Sequence, residues 1–258
     1  MLVTLLGTGG PWPDPDRNGS AYLLQYNGKP YLIDCGGGVN RQLMKVQVPP
    51  SQLDNIFLTH LHIDPCFEYP SLVFGAYLTG KEGSYHLFGP EGTAHFASSI
   101  FQDTYDFAIP TIKKILGKDI SIIMKEVTGG VVLEDNGLIV EAISVNHRIN
   151  ALAYKYSAQG KSVVFSGDTA PCENIVIIAQ NADVLIIECS FPEAFGPNPV
   201  HCIPSQVGAI AQKAHVKKVV LTHLFPPCKG HEEEIIADVK KIFDGPVVVG
   251  QDLMTLPV

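Results

Sequence analysis

Charge is scarce in this 258-residue sequence. Lys, Arg, Asp and Glu make up 17% of it against 46% hydrophobic residues, a balance that excludes a disordered chain and allows a sizeable core. Positive charge is the scarcer sign, with 18 Lys and Arg against 26 Asp and Glu and a formal net charge of −8. That argues against a broad phosphate-gripping surface, though not against a local basic pocket. No apolar run is long enough to span a membrane. The first residues, Met-Leu-Val-Thr-Leu-Leu, lack the basic start and long apolar run of an export signal and are expected to form a first strand. The six cysteines (Cys35, Cys66, Cys172, Cys189, Cys202, Cys228) include no Cys-x-x-Cys pair, so reduced thiols in a cytoplasm are expected. Gly7-Thr-Gly-Gly10 has the spacing of neither a dinucleotide fingerprint nor a P-loop and is expected to be a turn. With no repeat, low-complexity tract or linker, residues 1–258 are expected to form one domain.

What the sequence does contain is chemistry at strand ends. Ile56, Phe57 and Leu58 are expected to end a buried strand, and His60, His62 and Asp64 follow it. The two histidines are two positions apart, so on an extended backbone they point the same way, with Asp64 continuing the series from the loop. The pattern recurs along the chain. His147 follows the strand Leu138 to Val145, and Asp168 stands in Ser166-Gly-Asp-Thr169 after the strand Lys161 to Phe165. Glu188 stands near the end of Val184 to Cys189, and His223 closes Val219-Val-Leu-Thr-His223. His201 precedes an amphipathic helix, Gln206 to Ala214. Asp34, at the end of the hairpin Ala21 to Tyr26 and Pro30 to Ile33, has two readings: it orients a ligand histidine, or it caps the helix Val39 to Val46. His86 and His95, without partners nearby, are expected to be structural.

Prolines and chain ends complete the expected layout. Asp64 should N-cap a helix with Pro65 at its first position, and Pro70 should disturb the helical stretch Cys66 to Leu78. Residues 91–117 read as helical with a break at Pro110, and the chain closes with a helix, Glu232 to Phe243, and a strand, Pro246 to Val249.

Thr59-His-Leu-His-Ile-Asp64, His147, Ser166-Gly-Asp-Thr169 and Leu221-Thr-His223 together resemble the metallo-β-lactamase superfamily, essentially end to end. Within it the chain most resembles the ribonuclease Z and arylsulfatase-like branch. Leu6-Gly-Thr-Gly-Gly10, Asp34-Cys-Gly-Gly37 and Val249-Gly-Gln-Asp-Leu253 carry that likeness. Glu188 resembles the glutamate of the branch's His-Glu-Ala-Thr segment, and His201 the histidine of its Gly-His-Ser-Thr segment. Cys189 and Ser190 stand where Ala and Thr would, Cys202 follows the histidine, and Pro65 replaces the last histidine of His-x-His-x-Asp-His.

The resemblance implies an α/β fold (α+β by some schemes), a four-layer αββα sandwich with metals at one edge between the sheets. It implies a first metal on His60, His62 and His147, with Asp168 bridging to a second on Asp64 and His223. One or two Zn²⁺ ions are expected, Mn²⁺ or Fe also suiting the second site, and whether Cys66 replaces the missing ligand stays open. A metal-bound hydroxide would attack, oriented by Asp64, while His201, positioned by Glu188, protonates the leaving oxygen. The expected substrate is a small or cyclic phosphodiester. Lactone, carboxylic ester or aryl sulfate hydrolysis and a catalytically degenerate binding protein are the alternatives. Because only a short hairpin separates His147 from Asp168, where a tRNA-gripping arm would be looked for, tRNA is not expected as a partner. A homodimer is left open.

Overall fold

The computed structural model describes residues 1–117 and 119–258. The first half of the chain runs β1 (Leu2–Gly7), β2 (Ala21–Tyr26), β3 (Lys29–Ile33), α1 (Val39–Lys45), β4 (Asn55–Phe57), α2 (Ile63–Cys66), α3 (Tyr69–Leu78), β5 (Tyr85–Gly89), α4 (Thr93–Ser99), α5 (Ala108–Leu116) and β6 (Ile122–Glu126). The second runs β7 (Gly129–Asp135), β8 (Leu138–Val145), β9 (Ala151–Ala158), β10 (Lys161–Phe165), α6 (Glu173–Ile178), β11 (Val184–Glu188), α7 (Pro204–Lys213), β12 (Val219–Thr222), α8 (Glu232–Lys240), β13 (Val247–Val249) and β14 (Thr255–Pro257).

Among the described residues two seven-stranded sheets form, ordered β14-β1-β2-β3-β4-β5-β6 and β13-β12-β11-β10-β9-β8-β7. Each is antiparallel at one end and parallel at the other: β3, β4, β5 and β6 run parallel in the first, β10, β11, β12 and β13 in the second. The strands are apolar on both faces because both faces are covered. In β11, Val184 and Ile186 point into the core between the sheets, while Leu185 and Ile187 point to the layer under α6, α7 and α8. In β2, Tyr22, Leu24 and Tyr26 face the inter-sheet core, and Ala21 and Leu23 face the other helical layer. These three apolar layers separate four of secondary structure, the expected αββα sandwich. Truncating a fully enclosed side chain such as Ile186 to Ala would cost about 2–5 kcal/mol.

Several local expectations change. Pro70 occupies the first turn of α3 and begins that helix rather than disturbing it, since the N–H it lacks would be unpaired there anyway. Pro110 likewise sits in the first turn of α5, and the interruption falls earlier, after a π-helical turn at Ile100–Thr104. Asp64 is not the N-cap of α2. His62 precedes that helix, Asp64 is its second residue and Pro65 its third. The strand β14, which the sequence reading missed, pairs antiparallel with β1.

Candidate metal centre

The site lies where strands of both sheets end. Leu152 N–H donates to the Thr59 carbonyl at 2.8 Å and Leu224 N–H to the Thr8 carbonyl at 3.3 Å, so the loops after β4 and β12 are stitched to the opposite sheet. These stitches bring His60 and His62 from one sheet against His147, Asp168 and His223 from the other.

Asp168 is at the middle. Its Oδ2 lies 3.5 Å from His60 Nε2, 3.9 Å from His147 Nε2 and 3.4 Å from His223 Nε2. His62 joins through Nδ1, 3.2 Å from His147 Nε2. Ligand atoms of His60, His62, His147 and Asp168 converge within 4.8 Å, as do those of Asp168, His201 and His223. Asp64 Oδ2 is 3.2 Å from His223 Nε2. Every expected site residue is therefore in one cluster, and His201, expected as a proton donor, also stands within metal-ligand spacing of Asp168 and His223. Cys66 is in neither group. Its thiol is directed at the His60 carbonyl at 3.4 Å, and burial pushes its pKa well up.

The rings of His60, His147, His201 and His223 are anchored from behind. Thr59 Oγ1 stands 3.0 Å from His60 Nδ1 and donates to Asp34 Oδ2 at 2.9 Å, while Thr59 N–H donates to Asp34 Oδ1 at 2.8 Å. Of Asp34's two readings, orientation of a ligand histidine is the one the structure favours, since the N-terminus of α1 is capped by Glu68, which accepts from the N–H groups of Gly38 at 2.7 Å and Asn40 at 2.9 Å. His147 Nδ1 is 3.0 Å from the Val200 carbonyl, and His201 Nδ1 is 2.9 Å from Glu188 Oε1. Ser190 Oγ donates to Glu188 Oε2 at 2.6 Å and lies 3.0 Å from His223 Nδ1. Thr59 and Ser190 appear in the sequence only as parts of family segments, one residue before His60 and two after Glu188, and neither was given a role there.

The backbone is held in an uncommon shape at the same place. Asp34 and His223 adopt left-handed φ of 60° and 56°, conformations that persist in non-glycine residues only where the surroundings impose them. Pro65 lines the cleft beside Asp64, and its carbonyl accepts the Cys35 N–H at 2.6 Å.

The donor set fits a divalent metal. Burial holds His60 well below its ordinary pKa and lowers His62 and His147, leaving neutral imidazoles with lone pairs to give. His60 Nε2 is buried without a hydrogen-bond partner among the described residues, which leaves its lone pair available to a cation. Burial pushes Asp168 up to about 6 against the pull of His223. At His223 burial disfavours charge, yet Asp168 and the bond to Asp64 outweigh it and raise the ring to about 9. Burial also raises the Asp64 carboxyl, but His223 beside it more than offsets this and leaves it below the usual range. Positive charge is therefore favoured where the two carboxylates meet, which is what a cation-binding site requires.

Two stacked sheets with this cluster at their joined strand ends define a metal-dependent hydrolase of the metallo-β-lactamase superfamily, with a divalent metal as cofactor. The chain belongs to the family described as anti-Pycsar protein Apyc1, whose model matches residues 1–236. Among curated relatives, the ribonuclease Z of Mycobacterium avium is 30% identical, with 97% of this chain and 96% of that protein covered. The ribonuclease Z of Methanosarcina acetivorans is 27% identical, covering 100% and 98%. Among solved structures, human tRNase Z, short form, superposes with a TM-score of 0.77 at 25% identity, covering 100% of this chain and 99% of that one. The metallo-β-lactamase fold protein YhfI of Bacillus subtilis has a TM-score of 0.82 at 23% identity, covering 99% of each chain. Relatives named for ribonuclease Z weaken the expectation that tRNA is not a substrate. Among the described residues no helix is long and apolar enough to cross a membrane.

Proposed function

We propose that the chain hydrolyses a small or cyclic phosphodiester with one or two Zn²⁺ ions, and that tRNA is not its substrate. The observation that carries this reading is a cavity of about 260 Å³, a volume suited to a small ligand, lined by His62, Asp64, His147, Asp168, His201 and His223. Arg148, the one lysine or arginine among the described residues of its lining, offers the positive charge a phosphodiester needs. Against tRNA stands the lack of room for a long arm: β9 and β10, between His147 and Asp168, are joined by Gln159-Gly160 alone. The Methanosarcina match also runs over 310 aligned positions against 258 residues here, so that relative carries about fifty positions this chain lacks.

His60, His62 and His147 would hold the first metal, Asp168 would bridge, and Asp64 and His223 would complete the second site. Neutral imidazoles with carboxylates suit Zn²⁺, and the oxygen-rich second site also suits Mn²⁺ or Fe. Bound there, the metal supplies Lewis acidity toward a phosphoryl oxygen and lowers the pKa of water to about 7. Asp64 orients the attacking water. Glu188 fixes His201 through Nδ1, leaving Nε2 to face the cavity and carry the proton that goes to the departing oxygen. A new P–O bond forms from water as the old one breaks, and no side-chain nucleophile is required. The six free cysteines support a reducing compartment, the cytoplasm, for this reaction.

A panel run on metal-loaded protein tests the reading: a chromogenic phosphodiester, a lactone or carboxylic ester, an aryl sulfate and a tRNA precursor. Diester turnover should exceed the others by at least about 100-fold, a margin of roughly 2.7 kcal/mol in transition-state stabilisation. Faster cleavage of the precursor, ester or sulfate would overturn it.

A further inference from the structure

Trp12 is half exposed, at 51%, although it packs against another ring at a tilt of 58°. Its centroid is 4.4 Å from that of Phe225, which is buried and in turn 4.9 Å from His223, 5.2 Å from His201 and 5.1 Å from Phe191. The two rings line the cavity that holds His62, His147, His201, His223 and Arg148. A large ring packed at one side and open at the other, beside a reaction centre, is a stacking surface.

The loops carrying the pair are fixed in place, so the surface is preformed. Lys229, four residues after Phe225, bonds Asp16 at 2.7 Å and reaches Asp14 at 3.9 Å, tying the Trp12 loop to the loop after β12. Arg17 donates to Thr8 Oγ1 and to the Gly250 carbonyl, each at 2.7 Å. Asp252 accepts from the N–H groups of Thr8 and Asn18 at 3.0 and 2.8 Å, closing the base of the same loop. At Gly10 any Cβ would collide with the Phe225 ring, so glycine is what lets the loop lie against it.

We propose that Trp12, backed by the buried Phe225, is an aromatic wall that stacks on a planar substituent of the diester, a nucleobase or an aryl ring, and so selects aromatic phosphodiesters over aliphatic ones. The inference rests on the phosphodiester reading above. It adds a specificity-determining pair outside the metal ligands and the proton donor. Stacking of one ring on an aromatic side chain is sequence-tolerant and strong enough to dominate discrimination between a diester with a second ring and one without.

The test compares two diesters with the same leaving group, bis(p-nitrophenyl) phosphate and methyl p-nitrophenyl phosphate, on metal-loaded wild type, Trp12→Ala and Trp12→Phe. The ratio of kcat/KM values, bis-aryl over methyl, should fall about tenfold in Trp12→Ala, equivalent to about 1.4 kcal/mol. It should recover to within about threefold in Trp12→Phe. If the wild type turns both over and Trp12→Ala leaves the ratio unchanged, the wall is overturned and the diester reading stands. Absence of turnover in the wild type sinks the diester reading, and the wall is then decided by fluorescence. Trp12 is the chain's single tryptophan, so adenosine 5′-monophosphate should quench emission while ribose 5-phosphate leaves it unaltered. Equal responses to the two overturn the proposal.

Discussion

Thr59 Oγ1 lies 3.0 Å from Nδ1 of His60 and gives its own proton to Asp34. The hydroxyl can then only accept from Nδ1–H, which leaves the lone pair on Nε2, the buried atom facing Asp168 without a hydrogen-bond partner. Thr59→Val keeps the shape and removes this constraint. Metal affinity should fall about 10- to 100-fold, measured by chelator competition, with the metal-free melting temperature changed by only a few degrees. An unaltered affinity would show that packing alone orients the ring.

His60→Ala and His147→Ala should each strip the protein of its tightest metal, since each removes one of the imidazoles around Asp168. Calorimetry offers a second readout. Metal supplied at 100 times its Kd stabilises a folded site by about 2.7 kcal/mol, and both variants should lose most of that gain. Wild-type protein that stays metal-free in zinc-supplemented medium and takes up none afterwards would refute the metal centre.

Pro65 should leave the second site weaker than the first, with metal content between one and two per chain. Pro65→His should raise second-site affinity. Cys66→Ala should leave it unchanged, because the thiol is turned to the His60 carbonyl. Two equally tight wild-type sites in a titration, or a loss on Cys66→Ala, would contradict this.

His201→Ala should slow hydrolysis of diesters with poor leaving groups by roughly 10² to 10⁴ and shrink toward no effect as the leaving group improves. Glu188→Gln should move the rate in the same direction by weakening the 2.9 Å contact that holds the ring. Equal losses across the leaving-group series would instead point to His201 as a metal ligand.

Away from the site, burial opposes the charge on Asp183, but Lys217, the Ser162 N–H and Lys161 together bring its pKa down to about 2. A carboxylate depressed in the folded state stabilises above its unfolded pKa of about 3.9, and that contribution disappears as pH falls through about 2. Asp183→Asn should therefore cost about 1 kcal/mol at pH 7, a figure discounted because both lysines are more than half exposed. The difference from wild type should vanish near pH 2. A gap that persists there would make the contribution one of hydrogen bonding rather than charge.

Much of this was legible in the residues. Turns at Asn27-Gly28 and Gln159-Gly160, each with two successive positive φ values, place their hairpins because that backbone shape selects those residues. Apolar runs such as Val184 to Ile187 announce strands covered on both faces, and a histidine or carboxylate after such a run is already at a sheet edge. Helix boundaries around Pro70 and Pro110 were less legible, because proline both begins and ends helices and only the neighbouring backbone decides which.

By itself the sequence determined which side chains would stand at strand ends, since strand and turn preferences act over a few residues. Tertiary structure alone decided that they meet. His147 reaches His62 across 85 positions and His223 reaches Asp64 across 159. No local periodicity encodes such pairings, which arise when the two apolar sheet faces pack and the loops after β4 and β12 are drawn across the gap. The same packing set Ser190 between Glu188 and His223, laid Trp12 on Phe225, and left Cys66 turned away from the cluster it adjoins in sequence.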